Sequence, residues 1–335
     1  MKIAIDVGPL KGGDSVRGVG VYVRELLKAL NIEGVDIKSS DPGKYDVIHF
    51  TRFNPFFVSI PLRKQKHVKF VLTIYDLIPL IYPEHYPSGV KGWINWQINK
   101  FIIKKNIDAI ITISETSKKD ICRFIGVNPD KVHVTYLAPR QVFSKLDTSN
   151  FKSEIAKRYH LPERFALYVG DINYNKNIPV LIESCKIAKI PLVIVGKQVK
   201  EIKNMDLNHP ELTHLKGLNW DEVIRPGFVT DEDLVKIYNL ATIYIQPSLY
   251  EGFGLPVLEA QAVGLPVVAS KTQALMEIGE NAALFADPNN AKDFADKIKE
   301  AIGNHELIEK GIVNAKKYSW KKTASETFKI YEQHE

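Results

Sequence analysis

Residues 243–270 read IYIQPSLYEGFGLPVLEAQAVGLPVVAS. Ile243 to Gln246 is apolar and β-prone, a short buried strand that Pro247 and Ser248 close. The turn Glu251-Gly252-Phe253-Gly254-Leu255 follows, and Pro256 suits the first position of a helix, where its missing N–H costs nothing. That helix is predicted over residues 257–263, with Gly264 as its stop and Pro266 to Ala269 as the next strand. A glycine turn entering a helix gathers free backbone N–H groups at one point, a setting that favours an anion such as a diphosphate. Yet Glu251 precedes the turn and Glu259 lies inside the helix, with seven residues between them. Two carboxylates beside a phosphate repel it unless they bind hydroxyls instead. A ligand carrying both a diphosphate and sugar hydroxyls meets both demands, with Glu251 on the sugar and Glu259 on the ribose. By itself such a glutamate pair is common, and a helical glutamate is usually solvated, so the rest of the chain has to decide.

The chain is 335 residues long, too long for one ordinary core, and two domains are expected. Cys122 and Cys185 lie far apart without metal-ligand spacing, which argues against a disulfide framework or a zinc site. Strand-like sequence begins at Lys2 and no apolar run is long enough to cross a bilayer, so a cytoplasmic protein is expected. The net charge of +6 is uneven, roughly +8 over residues 1–150 and roughly −2 over the remainder. A basic half calls for an anionic partner. No nucleic-acid module is visible, which leaves a lipid diphosphate or peripheral contact with the inner membrane face.

Strands are predicted at residues 2–7, 45–50, 68–74, 109–113 and 132–136, in alternation with helices. In doubly wound sheets ligands sit beyond the carboxyl ends of strands, which places His49, Tyr75 and Asp76 on a cleft. KGWINWQINKFIIKK, residues 91–105, is read as a helix packed on the sheet with its lysines outward, in preference to a membrane-surface helix. Residues 138–162 read as a linker. A second set begins with the strand at 165–169, and Lys176 in the loop after it is the natural counter-ion for a diphosphate. Thr230 caps the helix that leads to the opening stretch.

PSLYEGFGLPVLEAQAVGLPVVAS resembles the signature of the retaining glycosyltransferases of family four, which have the GT-B fold. The resemblance implies an α/β protein of two Rossmann-like doubly wound domains facing across a cleft. Residues 1–145 would be the acceptor side, with a C-terminal helix at 318–335 packing back on them, and residues 160–317 the nucleotide-sugar donor domain. It implies catalytic roles for Glu251, Lys176 and Asp76. Donor contacts would come from Gly20, Gly170, Val229, Thr230, Gly252, Phe253, Gly254, Leu255 and Glu259, with His49, Tyr75 and Ser114 lining the cleft. Family members commonly have a histidine where this chain has Tyr75, and basic residues where it has Asp171 or Asn175. No metal is expected, because no Asp-x-Asp pair stands in a position suggesting a divalent ion, and no cofactor beyond the nucleotide-diphosphate sugar as co-substrate. YDLIP at 75–79 and GDIN at 170–173 are similar to bacterial mannosyl- and rhamnosyltransferases, which favours GDP-mannose over a UDP-sugar, with a glycan or lipid-linked acceptor in polysaccharide assembly. The alternatives are an inverting GT-B enzyme or epimerase using His49 or Asp76 as a base, and a silent sugar-nucleotide-binding protein.

Overall fold

The computed structural model describes residues 1–36 and 42–333. The chain divides into two compact units, Met1–Ala138 with Tyr318–Glu335, and Pro139–Lys317. The first runs β1 (Ile3–Ile5), α1 (Gly18–Leu30), β2 (Val47–Phe50), β3 (Lys69–Thr73), α2 (Ile78–Ile81), α3 (Gly89–Asn106), β4 (Ala109–Thr112), α4 (Glu115–Ile125) and β5 (Val132–Val134). The second begins with α5 (Lys152–Tyr159), β6 (Ala166–Val169), α6 (Ile178–Ala188), β7 (Leu192–Val195), α7 (Lys197–Lys200), β8 (Val223–Gly227) and α8 (Asp231–Leu240). It continues through β9 (Ile243–Gln246), α9 (Leu255–Ala262), β10 (Val267–Ser270), α10 (Gln273–Gly279), β11 (Leu284–Ala286), α11 (Ala291–Ala301) and α12 (His305–Ala315). A last helix, α13 (Trp320–Glu332), belongs to the first unit.

Both sheets are parallel, and strands such as AIIT in β4 and LVIV in β7 are buried along their whole length. Helices cover both faces of such sheets, so unbroken apolar runs rather than alternation mark the strands. The second sheet has the order β11-β10-β9-β6-β7-β8. Its first strand, β6, therefore lies between β7 on one side and β9 on the other. Loops leaving β6 and β9 turn to opposite faces and open a crevice between them, where doubly wound sheets hold ligands. In the first unit β1 pairs with β2, and a bridge from Asp6 to Val35 adds chain on its other edge, so the order reverses at β1.

Two expectations change. Residues 138–162 are not a loose linker: Phe143 packs edge-on against Tyr238, and Ile155 is fully buried. Arg158 and Tyr159 both bond Asp233 of α8. The short helix expected at residues 151–159 is present as α5, and what the sequence did not show is that it packs on the second unit. The helix at 91–105 does pack inward, through Trp96, Asn99, Ile102 and Ile103, but its outer face is not lysine alone, since Trp93, Ile94 and Phe101 are exposed. The segment from 199 to 222, illegible in sequence, sends Val199, Ile202, Leu212 and Leu215 into the core of the second unit.

Candidate active site

The loops after β6 and β9 are stitched together at the crevice. Asn175 donates to the Tyr250 carbonyl (3.0 Å), while the Leu249 N–H donates to the Asn175 carbonyl (2.8 Å). Asn177 takes a left-handed turn (φ 55°) and donates to the carbonyls of Pro247 and Pro288. Asn175, a position where a second phosphate cation was sought, thus holds the loops in register. This framework brings Lys176 to Glu251: its Nζ lies 2.7 and 2.9 Å from the two carboxylate oxygens. Glu251 is buried, and its Oε1 also accepts from Gln246 (2.9 Å) and from Ser248 (2.7 Å). A buried carboxylate so surrounded is held in one orientation.

Beyond Glu251 the chain turns at Gly254 (φ 107°), where a Cβ would lie 2.6 Å from the Leu275 side chain. Only glycine fits both the dihedral and the space. It forms the N-cap of α9 without a side-chain cap, and Pro256 stands in the first turn. The first-turn N–H groups and the helix dipole at this end favour a negative charge.

Glu259, on α9, is 3 % exposed. It accepts from Nε of Arg140 at 2.8 Å, and Nη1 of the same guanidinium reaches Asp231 at 2.6 Å. Burial opposes the Arg140 charge, but Glu259 and Asp231 more than offset it and raise the pKa. Tyr244 of β9 has its phenol pushed well above the ordinary range, by burial first and then by Glu251 and Glu259. Each acid of the pair therefore has its own cation, Lys176 for Glu251 and Arg140 for Glu259. That answers the repulsion problem posed by the sequence. Arg140 was missed there because it falls in the supposed linker. A glutamate within LPVLEAQAVG demands a buried cation, but nothing local says which of the 45 Lys and Arg supplies it.

The other second-unit residues named from the sequence lie on the loops after β6, β8 and β9. Gly170 follows β6, with its N–H on the Val195 carbonyl. Val229 is buried, and Thr230 is the N-cap of α8, accepting from the Asp233 N–H at 3.3 Å. Asp231 follows Thr230 directly, so Arg140 ties the turn at 229–231 to Glu259. Gly252 and Phe253 are buried within the turn itself.

The candidates of the first unit are engaged otherwise. His49 is fully buried, with Nδ1 2.6 Å from the Tyr331 hydroxyl and Nε2 2.7 Å from Thr73 Oγ1. Burial lowers its pKa to about 3, so it is a neutral core histidine and not a base on a cleft. Tyr75 donates to the Thr51 carbonyl (2.8 Å), and Asp76 accepts from the Ile78 N–H (3.1 Å) at the start of α2. Burial foremost raises the Tyr75 pKa well above the ordinary value. Ser114 caps α4 by accepting from Ser117 N–H (3.0 Å), while Ser117 itself donates to the Tyr75 carbonyl. Gly20 lies inside α1, where a Cβ would come within 2.5 Å of the Asp14 carbonyl, so close packing of the preceding turn requires it. Among the described residues no group of three or more His, Cys, Asp or Glu could hold a metal ion.

Two parallel sheets, the second with an acid–cation pair at its switch point, form a doubly wound α/β arrangement with a crevice suited to a ligand. The comparisons identify the family. Residues 151–318 match the model for "Glycosyl transferases group 1", and residues 37–138 match "Glycosyltransferase Family 4". The chain belongs to the family-four glycosyltransferases, with the GT-B fold. It is 30% identical over 296 residues to the serotype-specific mannosyltransferase WbdA of Escherichia coli, covering 83% of this chain and 36% of that protein. The chain thus spans about a third of the length of such curated relatives. It is also 30% identical over 323 residues to the uncharacterized glycosyltransferase MJ1607 of Methanocaldococcus jannaschii, covering 92% of this chain and 78% of that one. Among solved structures, Anabaena Alr3699/HepE in complex with UDP and glucose superposes with a TM-score of 0.71 at 15% identity, covering 100% of both chains.

Proposed function

We propose that this chain is a retaining glycosyltransferase that moves a hexose from a nucleotide-diphosphate sugar to a hydroxyl of a glycan or lipid-linked acceptor in the cytoplasm. The observation that carries this reading is the Lys176–Glu251 pair at the β6/β9 switch point, beside the N-terminus of α9. Glu251 holds the sugar's hydroxyls. Lys176 and the backbone N–H groups of the 252–255 turn take the charge that develops on the leaving diphosphate. When Lys176 turns to the phosphates, Gln246 and Ser248 still hold Glu251 in place. Glu259 receives the ribose, and Arg140 cancels its charge so that the diphosphate is not repelled. Backbone groups at Val229 and Thr230 meet the base, and Gly170 lets the loop approach the donor.

In the reaction the bond from the anomeric carbon to the diphosphate oxygen breaks, with its electron pair going to that oxygen. The acceptor hydroxyl attacks from the same face and passes its proton to the departing diphosphate, so configuration is retained and no separate strong base is needed. Asp76, on the acceptor-side unit, orients the hydroxyls. Positive charge for the diphosphate comes from Lys176 and α9, and turnover is expected to survive EDTA. Mannose from GDP-mannose is the favoured donor, in keeping with the similarity to a mannosyltransferase; a UDP-sugar is the rival, since the HepE crystals hold UDP and glucose. A thermal-shift screen distinguishes them, because a bound ligand raises stability as the logarithm of its excess over Kd. Stabilisation by GDP-mannose, with turnover to an axial product lost in Glu251→Ala, is the expected outcome. No shift with any GDP- or UDP-sugar would defeat the reading.

A further inference from the structure

Strand β9 holds two polar side chains where a buried parallel strand is ordinarily apolar throughout. All of Ile243–Gln246 is buried. Successive side chains of a strand point to opposite faces. Ile243 and Ile245 enter the apolar core of the second unit, and Tyr244 and Gln246 share the other face. Gln246 is 2 % exposed, and an amide that far from water is costly unless it is fully bonded.

Its bonds all lead to Glu251. Oε1 of Gln246 accepts from the Tyr244 hydroxyl at 2.6 Å. Nε2 donates to Ser248 Oγ and to Glu251 Oε1, both at 2.9 Å. Ser248, itself fully buried, donates its hydroxyl proton to the same Glu251 oxygen at 2.7 Å. The protons therefore run one way, from Tyr244 through Gln246 and Ser248 to the acid. Turning the amide over would set its carbonyl oxygen against the carboxylate, so the Tyr244 hydroxyl fixes which end of Gln246 faces Glu251. The Tyr244 ring is held in turn, stacked on Tyr238 of α8 with centroids 5.7 Å apart and planes 17° apart.

This arrangement makes the two oxygens of Glu251 unequal. Oε1 accepts from Lys176, Gln246 and Ser248, whereas among the described residues Oε2 accepts from Lys176 only, at 2.9 Å. With two lone pairs per oxygen, Oε1 is saturated and Oε2 has room for a further donor. When Lys176 turns to a diphosphate, Oε1 keeps two donors and Oε2 stands open. A glutamate side chain has enough free torsions to move its oxygens by an ångström or more, and a misplacement of about 1 Å can cost about a hundredfold in rate.

We propose that Gln246, oriented by Tyr244, is a positioning residue that pins Oε1 of Glu251 inward and so presents Oε2 to a hydroxyl of the donor sugar. The inference rests on the reading of Glu251 as the acid that holds that sugar, and goes beyond it by naming which oxygen does so and what aims it. The test is turnover of the donor to free sugar and nucleoside diphosphate, with whichever of GDP-mannose and UDP-glucose the wild-type chain consumes. Gln246→Met removes both N–H donors at similar size and should lower kcat about a hundredfold, with the Kd for the nucleoside diphosphate unchanged. Tyr244→Phe frees the amide to turn and should lower kcat about tenfold. In the double variant the two losses should not multiply: kcat should equal that of Gln246→Met, because Tyr244 acts only through the amide. Ser248→Ala lies beyond the strand, removes one donor to Oε1, and should lower kcat about fivefold; it replaces Gln246→Met in the test should that variant not fold. Wild-type kcat in Gln246→Met or in Ser248→Ala, losses that multiply in the double variant, or a nucleotide Kd that worsens as much as kcat falls would each overturn the proposal. Glu251→Ala with wild-type turnover would instead remove the reading beneath it.

Discussion

The carboxyl ends of the two sheets use polar residues in opposite ways. In the second unit they carry charge in matched pairs, Lys176 with Glu251 and Arg140 with Glu259. In the first, Asp6 and Asp76 accept from nearby backbone N–H groups, and the rest are neutral groups that bond one another: His49 with Thr73 and Tyr331, Tyr75 with Thr51, Ser114 with Ser117. A lysine paired with an acid can turn to an anionic ligand where the acid keeps other donors, as Glu251 keeps Gln246 and Ser248. A buried neutral network cannot, since removing one member strands another. The charged pairs of the second unit suit a charged ligand, while the neutral bonds around His49, Tyr75 and Ser114 hold the first sheet together.

The largest effect that sharpens this contrast is on Glu251. Glu251→Ala should lower kcat by about a thousandfold, the order of losing an electrostatic contact made in the transition state, with the Kd for nucleotide nearly unchanged. Equal losses in kcat and nucleotide affinity would make Glu251 a general binding group. Next comes Arg140. Arg140→Ala leaves Glu259 buried without its cation and should cost about 3 kcal/mol of stability in urea unfolding, with weaker nucleotide binding. Arg140→Lys should recover part of both. An unchanged unfolding midpoint in the alanine variant would remove Arg140 from the site.

On the first unit the expected effects are smaller. His49 has a folded pKa of about 3, below the usual 6.5, so the unfolded chain binds its proton first. Stability from this residue is complete above pH 6.5 and falls as pH drops towards 3. Between pH 6.5 and 5 the loss is about 2 kcal/mol. His49→Gln should flatten that part of the stability profile, and an unaltered slope would contradict the burial of a neutral ring. Smallest is Tyr75→Phe, which removes the bond to the Thr51 carbonyl and should cost about 1 kcal/mol. Turnover should stay within a few-fold of wild type. A tenfold fall with the stability intact would place the phenol in the reaction and erase the contrast drawn above.

Much of this was legible along the chain. The β9–α9–β10 unit, its glycine turn, and Glu251 and Glu259 all lie within one short stretch, and local patterning suffices where strand, turn and helix are consecutive. The position of Lys176, in the loop after β6, was legible too, but its pairing with Glu251 was not. Less legible were β8, whose VIRPG carries a proline, and β11, with only three residues. Both are recognised by the neighbours they pair with and not by their own periodicity. The α3 helix was misjudged in part, because apolar residues on opposite faces cancel any one-sided pattern.

The sequence by itself determined that the protein has two parallel α/β units, and that a glycine turn between strand and helix carries two acids, Glu251 and Glu259. Those follow from hydrophobic runs and turn residues, which act over a few neighbours. Tertiary structure alone decided which cation meets which acid, and that His49 is core. Arg140 and Glu259 are 119 positions apart, and His49 and Tyr331 282 apart. Burial and charge pairing are properties of the packed chain, and no local pattern encodes a partner at that distance.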